Sequence, residues 1–162
     1  MSIPYNSFWE TVLKKELTLV YWRQNVIFNY RPDFLRNPKT WKNLEIDIYV
    51  KNYYWVEFQW WQHYTDKNQI FRDELKLKLC KQNWLKLYRI TLKWLKAFLK
   101  KVYKDWNYQN QIHINLVFKE IDKYLENVQK KFKKDKSLKK AAPKQRAIKS
   151  IKKDVKKTLK KK

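Results

Sequence analysis

The chain has 162 residues, of which 44% are hydrophobic and 17% aromatic, enough to form the core of one ordinary domain. No apolar run approaches the roughly 18 residues of a membrane span, and the start MSIPYNSFWE lacks the basic-then-apolar pattern of a secretory signal. Cys80 is the single cysteine, which excludes an intrachain disulfide and a cysteine-based zinc site, and the formal net charge is +24.

The positive charge is concentrated at the C-terminal end. Residues 130–162 hold 17 Lys and Arg residues against Asp135 and Asp154, a net charge of +15, which leaves +9 for residues 1–129. This surplus favours polyanionic partners, nucleic acid before an anionic membrane surface. The alternative is that an AT-rich coding sequence inflates the lysine content. We therefore predict a domain over 1–129 and a Lys-rich tail over 130–162.

The N-terminal segment SFWETVLKKELTLV (7–20) predicts a helix. Ser7 and Glu10 have the S-x-x-E spacing of a capping box, and apolar residues follow on one side at positions 12, 13, 17 and 20.

Three strands are predicted next. NVIFNY (25–30) is a short segment rich in β-forming residues, and the stretch 31–43 after it contains two prolines and predicts a loop. LEIDIYV (44–50) alternates strictly between apolar and polar residues, and WVEFQ (55–59) alternates again after a short turn. Both patterns are typical of half-buried strands.

The remaining elements alternate between helix and strand. We predict a helix over 71–83, a strand over 85–90, a helix over 92–103 and a last helix over about 114–133. The order helix, three strands, helix, strand, helix, helix indicates an α/β fold.

The tail permits two structures. Ile148, Ile151, Val155 and Leu159 recur every three to four residues, as in one long basic amphipathic helix. Its apolar content is too thin to fold alone, so the tail could equally be disordered.

Two adjacent strands carry the candidate site. Alternation places Asp47 on the polar face of one strand, and Glu57 and Gln59 on that of the next. Carboxylates a few ångströms apart repel each other unless a cation lies between them, and Mg²⁺ typically uses one or two carboxylates with waters and substrate phosphate. The alternative is that these are ordinary solvent-facing acids.

Three sequence blocks resemble a known family. NVIFNYRPDFLRNPKTWKNLEIDIYV, VEFQWWQHY and RDELKLKLCKQNWLKLYRI resemble small nucleases of the PD-(D/E)xK, restriction-endonuclease-like superfamily. The resemblance is closest to the branch similar to very-short-patch repair and related homing or phage endonucleases, and it covers roughly residues 5–92. It implies a core of a helix, a three-stranded antiparallel meander, a helix and a strand. We predict that the C-terminal helices and the basic tail follow this restriction-endonuclease-like core.

The resemblance implies a role for each strand residue. Asp47 corresponds to the family's metal-binding aspartate, and Glu57 to the acid of the (D/E)-x-K pair. Gln59 falls where the lysine usually lies, which is a departure, because glutamine can only hydrogen-bond the water that lysine would polarise.

Five further residues correspond to supporting positions. Glu10 matches an acid that some members add to the site, although it could simply cap its own helix. His63 could act as general acid or base, or could order the turn, and Gln62 beside it would contact substrate or shape that turn. Arg72 and Lys76 lie four apart, hence on one helix face, where the family often grips phosphates; a solvated face is the alternative.

The resemblance also bears on the tryptophans. The chain has nine Trp and zero Gly, where average usage of about 7% predicts about eleven glycines. SFWE resembles S-x-G-E, PKTWKN resembles P-K-T-G-x-N, CKQNWLKL resembles C-K-x-N-G-I-K-L, and VEFQW resembles V-E-x-Q-G. We hypothesise that the nine Trp are glycine codons read with the wrong genetic code. If they are genuine, Trp60 and Trp61 could stack on bases.

The sequence thus predicts a Mg²⁺-dependent endodeoxyribonuclease, with Mn²⁺ able to replace Mg²⁺, no small-molecule cofactor and no membrane partner. We expect it in the cytoplasm, associated with the nucleoid where it binds DNA. One rival is a catalytically inactive nucleic-acid-binding protein with the same fold, and a weaker one is a cationic membrane-surface protein. His113 receives no role.

Overall fold

The computed structural model describes residues 5–59 and 66–134, together with residues 152, 155, 156 and 159 near the C-terminus. Within these residues a four-stranded mixed sheet separates two hydrophobic clusters. One cluster packs between the sheet and helices α1, α3 and α4, and the other lies between the sheet and α2. The predicted α/β class is confirmed.

Helix α1 spans Tyr5–Tyr21 and packs one apolar side against the sheet. Trp9, Leu13 and Leu17, each four residues apart, are at most 2% exposed. The helix already begins at Tyr5, so Ser7 lies inside the first turn and the predicted capping box is wrong, because an N-cap residue must precede the helix.

The sheet has the order β1-β2-β3-β4. Its strands are β1 (Val26–Tyr30), β2 (Ile46–Val50), β3 (Tyr54–Phe58) and β4 (Leu87–Ile90). The first three form an antiparallel meander, and β4 pairs parallel with β3. A parallel neighbour requires a crossover connection, and α2 provides it.

Helix α2 spans Lys67–Gln82, four residues more at its start than predicted. Asp66 precedes the helix and its Oδ1 accepts hydrogen bonds from the backbone N–H groups of Asn68 and Gln69, at 2.8 and 3.4 Å. This N-cap fixes a helix start that the apolar pattern alone did not reveal.

Helices α3 (Leu92–Asp105) and α4 (Gln111–Lys134) complete the described domain. Both helices contribute buried residues to the larger cluster. They are Leu95, Leu99 and Val102 of α3, and Ile114 and Ile121 of α4. Helix α4 ends at Lys134, close to the predicted end at about residue 133. None of the described helices is long and apolar enough to cross a membrane.

Beyond α4, the four described residues 152, 155, 156 and 159 are helical. Val155 is fully buried in the cluster of Leu35, Leu44 and Leu75, and Leu159 packs against it one turn later. These contacts favour the amphipathic-helix interpretation for this part of the tail, because Val155 and Leu159 belong to the predicted apolar stripe.

Tryptophans occupy unusual backbone positions. Among the described residues six have a positive φ, and they are three asparagines and three tryptophans: Asn29, Asn52, Asn107, Trp22, Trp41 and Trp84. Asparagine enters this left-handed region readily, whereas a bulky side chain there is a steric outlier.

The ends of α2 and α3 show the same contrast. After α3, the Asn107 N–H donates to the Lys104 carbonyl and the Tyr108 N–H to the Tyr103 carbonyl. After α2, the Trp84 N–H donates to the Lys81 carbonyl and the Leu85 N–H to the Cys80 carbonyl. Both ends are Schellman motifs, whose left-handed position favours glycine and then asparagine. Trp84 occupies that position with φ 58° and is 96% exposed.

Candidate functional site

Asp47 of β2 and Glu57 of β3 lie opposite each other in the antiparallel pair. The register joins Ile48 to Val56 and Tyr49 to Trp55, so the next positions outward are 47 and 57. Residues directly opposite in such a pair project to the same face of the sheet. The Phe58 N–H donates to Asp47 Oδ2 at 2.8 Å, which holds the aspartate against β3.

Glu57 is paired with a lysine from the helix above it. Its side chain is 1% exposed, and the Lys76 Nζ lies 2.7 Å from Glu57 Oε1. Lys76 is itself only 7% exposed. The two ends of this ion pair belong to β3 and α2, so packing of the helix on the sheet brings them together.

Both carboxylates resist ionisation. Burial raises the pKa of Glu57 to about 8, with Asp47 and Asp73 adding to the rise and Lys76 opposing it. Burial also raises the pKa of Asp47, and the charge of Glu10 adds to that effect. Burial is the largest cause of both shifts, and a cation bound between the two carboxylates would favour their charged forms.

Glu10 lies in the electrostatic surroundings of Asp47 as predicted, on α1. Its Oε1 is 2.6 Å from Nζ of Lys14, one turn further along the helix. Lys14 also opposes the pKa rise of Asp47. The first helix thus supplies one acid and one base to the edge of the site.

Gln59 directly follows β3 and is 5% exposed. Its backbone N–H donates to the Ile90 carbonyl at 2.8 Å, which extends the β3–β4 ladder by one residue. Because the ladder continues, strand alternation keeps Gln59 on the face of Glu57. The structure brings the third strand-borne candidate to the same side of the sheet.

The predicted shared face of Arg72 and Lys76 is wrong. Arg72 is exposed and its Nη2 donates to Gln69 Oε1 at 2.6 Å, whereas Lys76 points into the buried carboxylate pair. Helical spacing of four residues corresponds to a 40° rotation, and at the edge of a packed face this separates a solvent position from a core position. Arg72 is therefore open to solvent, whereas Lys76 contacts Glu57.

Gln62 and His63 lie outside the described residues, as do Trp60 and Trp61.

The contribution of α2 was missed from the sequence. Asp73 is 3% exposed and its Oδ1 accepts from Gln69 Nε2 at 2.8 Å. The positions 70, 73, 76 and 80 follow one another at spacings of three, three and four residues, so Asp73 and Lys76 lie on the same helix face as the apolar Ile70 and Cys80. Charged residues on an otherwise buried face were the available signal.

A second charged contact lies beside the site. Arg89 pairs with Glu57 in the parallel register of β3 and β4, yet its guanidinium contacts Glu74 of α2, with Nη1 3.3 Å from Oε1. Lys152 of the tail lies 4.0 Å from the other Glu74 oxygen. Glu74 is therefore committed to two cations and is a poor candidate for the metal.

The donor set fits a hard divalent cation held by few protein ligands. Asp47 and Glu57 offer carboxylate oxygens from adjacent strands, as Mg²⁺ prefers. Within the described ranges no group of three or more His, Cys, Asp or Glu residues could hold a metal ion. A site here would accordingly be of the open kind, completed by water or phosphate oxygens.

The chain is similar to two proteins of invertebrate iridescent viruses. It is 36% identical over 101 residues to uncharacterized protein 307L of Invertebrate iridescent virus 6, covering 51% of this chain and 51% of the relative. It is 39% identical over 72 residues to uncharacterized protein 033L of Invertebrate iridescent virus 3, covering 37% of each. The chain thus matches about half or less of the length of these relatives. No family model and no solved structure matches it.

Proposed function

We propose that the protein is a metal-dependent endonuclease that hydrolyses phosphodiester bonds in DNA, built on a restriction-endonuclease-like core of the PD-(D/E)xK type. The observation that carries this proposal is the buried cluster of Asp47, Glu57 and Lys76 at one end of the meander. Two acids and one lysine converging from β2, β3 and α2 are the parts that phosphodiester hydrolysis needs.

The chain topology supports the same proposal. A helix, a three-stranded antiparallel meander, a helix and a strand parallel to the third strand follow one another in the described residues. This is the order that the sequence resemblance implies for the nuclease core, and it places both acids on adjoining strands.

Asp47 and Glu57 are the residues that would hold Mg²⁺, or Mn²⁺ in its place. The ion would supply Lewis-acid stabilisation of the charge that develops on the phosphate and would lower the pKa of a bound water. The chain itself contributes the fixed position of Asp47, through the Phe58 N–H, and the exclusion of solvent around Glu57.

Lys76 takes over the role that Gln59 cannot fill. A glutamine at the usual lysine position offers no positive charge, but Lys76 brings an ammonium to the same acid pair from α2. From there it can orient the attacking water and stabilise negative charge on the phosphate. Gln59 would hydrogen-bond that water, Glu10 and His63 would assist, and Arg72 and Gln62 would contact the substrate strand.

The second candidate is a nucleic-acid-binding protein that has the fold without the activity. The specific observation in its favour is that the Lys76 ammonium already lies 2.7 Å from Glu57, where it neutralises part of the charge that would attract a metal. Such a protein would bind DNA with a steep salt dependence and cut none.

A cleavage assay on supercoiled and linear DNA, with Mg²⁺ or with EDTA, tests the proposal. We expect Mg²⁺-dependent nicking or cutting, and we expect Asp47→Ala to lower the rate roughly a thousandfold, equivalent to about 4 kcal/mol of lost transition-state stabilisation. DNA binding should persist. The control is Glu45→Ala, because this acid lies two residues away on a half-exposed side chain paired with Arg31. DNA binding without metal-dependent cleavage in the unmodified protein would instead support the second candidate.

We further propose that the nine Trp positions are glycines whose codons are UGA, read as glycine in the native host. Three positive-φ tryptophans that are 67% to 96% exposed support this, as does Trp9, whose Nε1 is a buried donor without a partner among the described residues. The gene decides the matter: UGG at even a few of the nine positions refutes it. The intact mass of the protein from its native host is the matching measurement.

A further inference from the structure

A cavity lies away from the carboxylate cluster, on the sheet face covered by α1 and α3. Its volume of about 350 Å³ is within the usual range of about 300–1,000 Å³ for small-ligand sites. Tyr54 at the start of β3 lines it, whereas Glu57 lies three residues further on and projects to the opposite face. At about 3.3 Å per residue the two sites are separated by roughly 10 Å along the strand.

The lining of this cavity is dominated by aromatic rings. They come from four tyrosines and one tryptophan: Tyr21, Tyr53, Tyr54, Tyr88 and Trp106. Tyr21 is 3% exposed, and its hydroxyl accepts a hydrogen bond from the Tyr54 hydroxyl at 2.8 Å. Tyr53 is 51% exposed and lies at the mouth. The cavity thus offers ring surfaces for stacking and a pair of hydroxyls at depth.

The charged groups at the rim decide which kind of ligand fits. Aromatic linings bind planar rings and quaternary ammonium groups alike. Here Lys101 and Asp105 form an ion pair whose charges offset each other, so Lys86 gives the lining its net positive charge. Helix α3 adds a wider positive field, since it carries five lysines against one aspartate. An anionic ligand with a planar ring is therefore favoured over a cation.

We propose that this cavity binds one nucleotide of a single-stranded nucleic acid. The base would stack on the tyrosines, and its phosphate would pair with Lys86, whose Nζ is 4.9 Å from the Tyr88 ring centroid. A concave site of this size admits a base that has left the helical stack, whereas duplex bases stay out of reach. The inference rests on the tyrosines and lysines rather than on Trp106. It goes beyond the proposed function because binding here requires neither metal nor cleavage.

The test is fluorescence anisotropy of a short labelled oligothymidylate titrated with the full chain in EDTA. We expect Tyr53→Ala to weaken binding about tenfold, the effect of one lost base–aromatic stack. We expect Lys86→Glu to weaken it by at least as much. Lys81→Glu is the matched control, because Lys81 is also exposed, lies outside the cavity lining and carries the same change of charge. It should weaken binding far less.

Three results would overturn the inference. Equal losses for Lys86→Glu and Lys81→Glu would show that only overall charge matters. Competition by choline would identify a cation site. Thymidine monophosphate binding as tightly as the oligomer would identify a site for free nucleotides. Because the titration contains EDTA, none of these results bears on the cleavage assay, and loss of cleavage in Asp47→Ala leaves this titration unchanged.

Discussion

On one face of the sheet, Val56 and Phe58 pack against α1, α3 and α4 in a cluster built almost wholly from apolar side chains. On the other face, Glu57 meets Lys76 at the same depth. Glu16 is also buried on the apolar side, but its Oε2 is 2.7 Å from the Tyr103 hydroxyl and 2.8 Å from His113 Nε2. The Glu16 carboxylate thus has a tyrosine hydroxyl and a histidine as partners, whereas Glu57 contacts one lysine and has Asp47 and Asp73 in its electrostatic surroundings. The cluster that we propose for catalysis lies on the face opposite the larger apolar cluster.

The largest effect on folding should come from the apolar face. Leu13 is fully buried, and Leu13→Ala should lower the free energy of unfolding by about 3–5 kcal/mol through lost transfer energy and a residual cavity. Urea denaturation measures this, and cleavage per folded molecule should stay unchanged. A matched loss of cleavage at low temperature, where the variant remains folded, would contradict the separation of the two faces.

Lys76→Met should lower the free energy of unfolding by about 1–3 kcal/mol, because it leaves the buried Glu57 carboxyl without the ammonium group that donates to it. Adding Glu57→Gln should restore most of that stability and none of the cleavage. The double-mutant cycle, measured by urea denaturation, isolates the coupling of this pair. Additive losses would show that Lys76 and Glu57 do not act as a unit.

The acid pair also predicts a pH dependence. A carboxyl group whose pKa is raised in the folded state destabilises the fold as it ionises, so stability should fall between pH 4.5 and about pH 8. The slope contributed by Glu57 is at most about 1.4 kcal/mol per pH unit. Thermal unfolding measures it, Glu57→Gln should flatten it, and Mg²⁺ should raise Tm more at the upper end of this range than at the lower. A flat profile in the metal-free protein would contradict the raised pKa of Glu57.

The smallest effect concerns the two helix ends. Trp84→Gly should stabilise the protein by about 1–2 kcal/mol, because it removes the steric penalty of a left-handed bulky residue. Asn107→Gly should change stability far less, since asparagine already tolerates this conformation. Chemical denaturation of both variants measures the free energy of unfolding. Equal changes for the two variants would contradict a steric penalty at Trp84.

The strands were predictable because alternation of apolar and polar residues directly encodes which side of a sheet is buried. That pattern also located Asp47 and Glu57 on facing strands, ten positions apart, as the register shows. The start of α2 was missed. Asp66 fixes it by accepting a hydrogen bond from a backbone N–H group of the first turn, and the spacing of apolar residues does not reveal such a cap.

Lys76 could be placed on a helix from the sequence but not oriented toward a partner. Its contact with Glu57 spans 19 residues and depends on how α2 crosses the sheet, which no local pattern specifies. The predicted phosphate-binding role followed from the family resemblance, which implies basic residues on this helix. The structure instead buries Lys76 against Glu57, and buried charged groups with perturbed pKa values are common at functional sites.

The left-handed backbone conformation of Trp84, with its exposed side chain, has a practical consequence for preparing this protein. With tryptophan at these positions, the protein has three exposed indole rings on turns. The exposed fractions are 68%, 67% and 96% at Trp22, Trp41 and Trp84. Exposed rings of that kind promote self-association. We expect a variant with glycine at these three positions to remain dispersed at higher concentration than the tryptophan form.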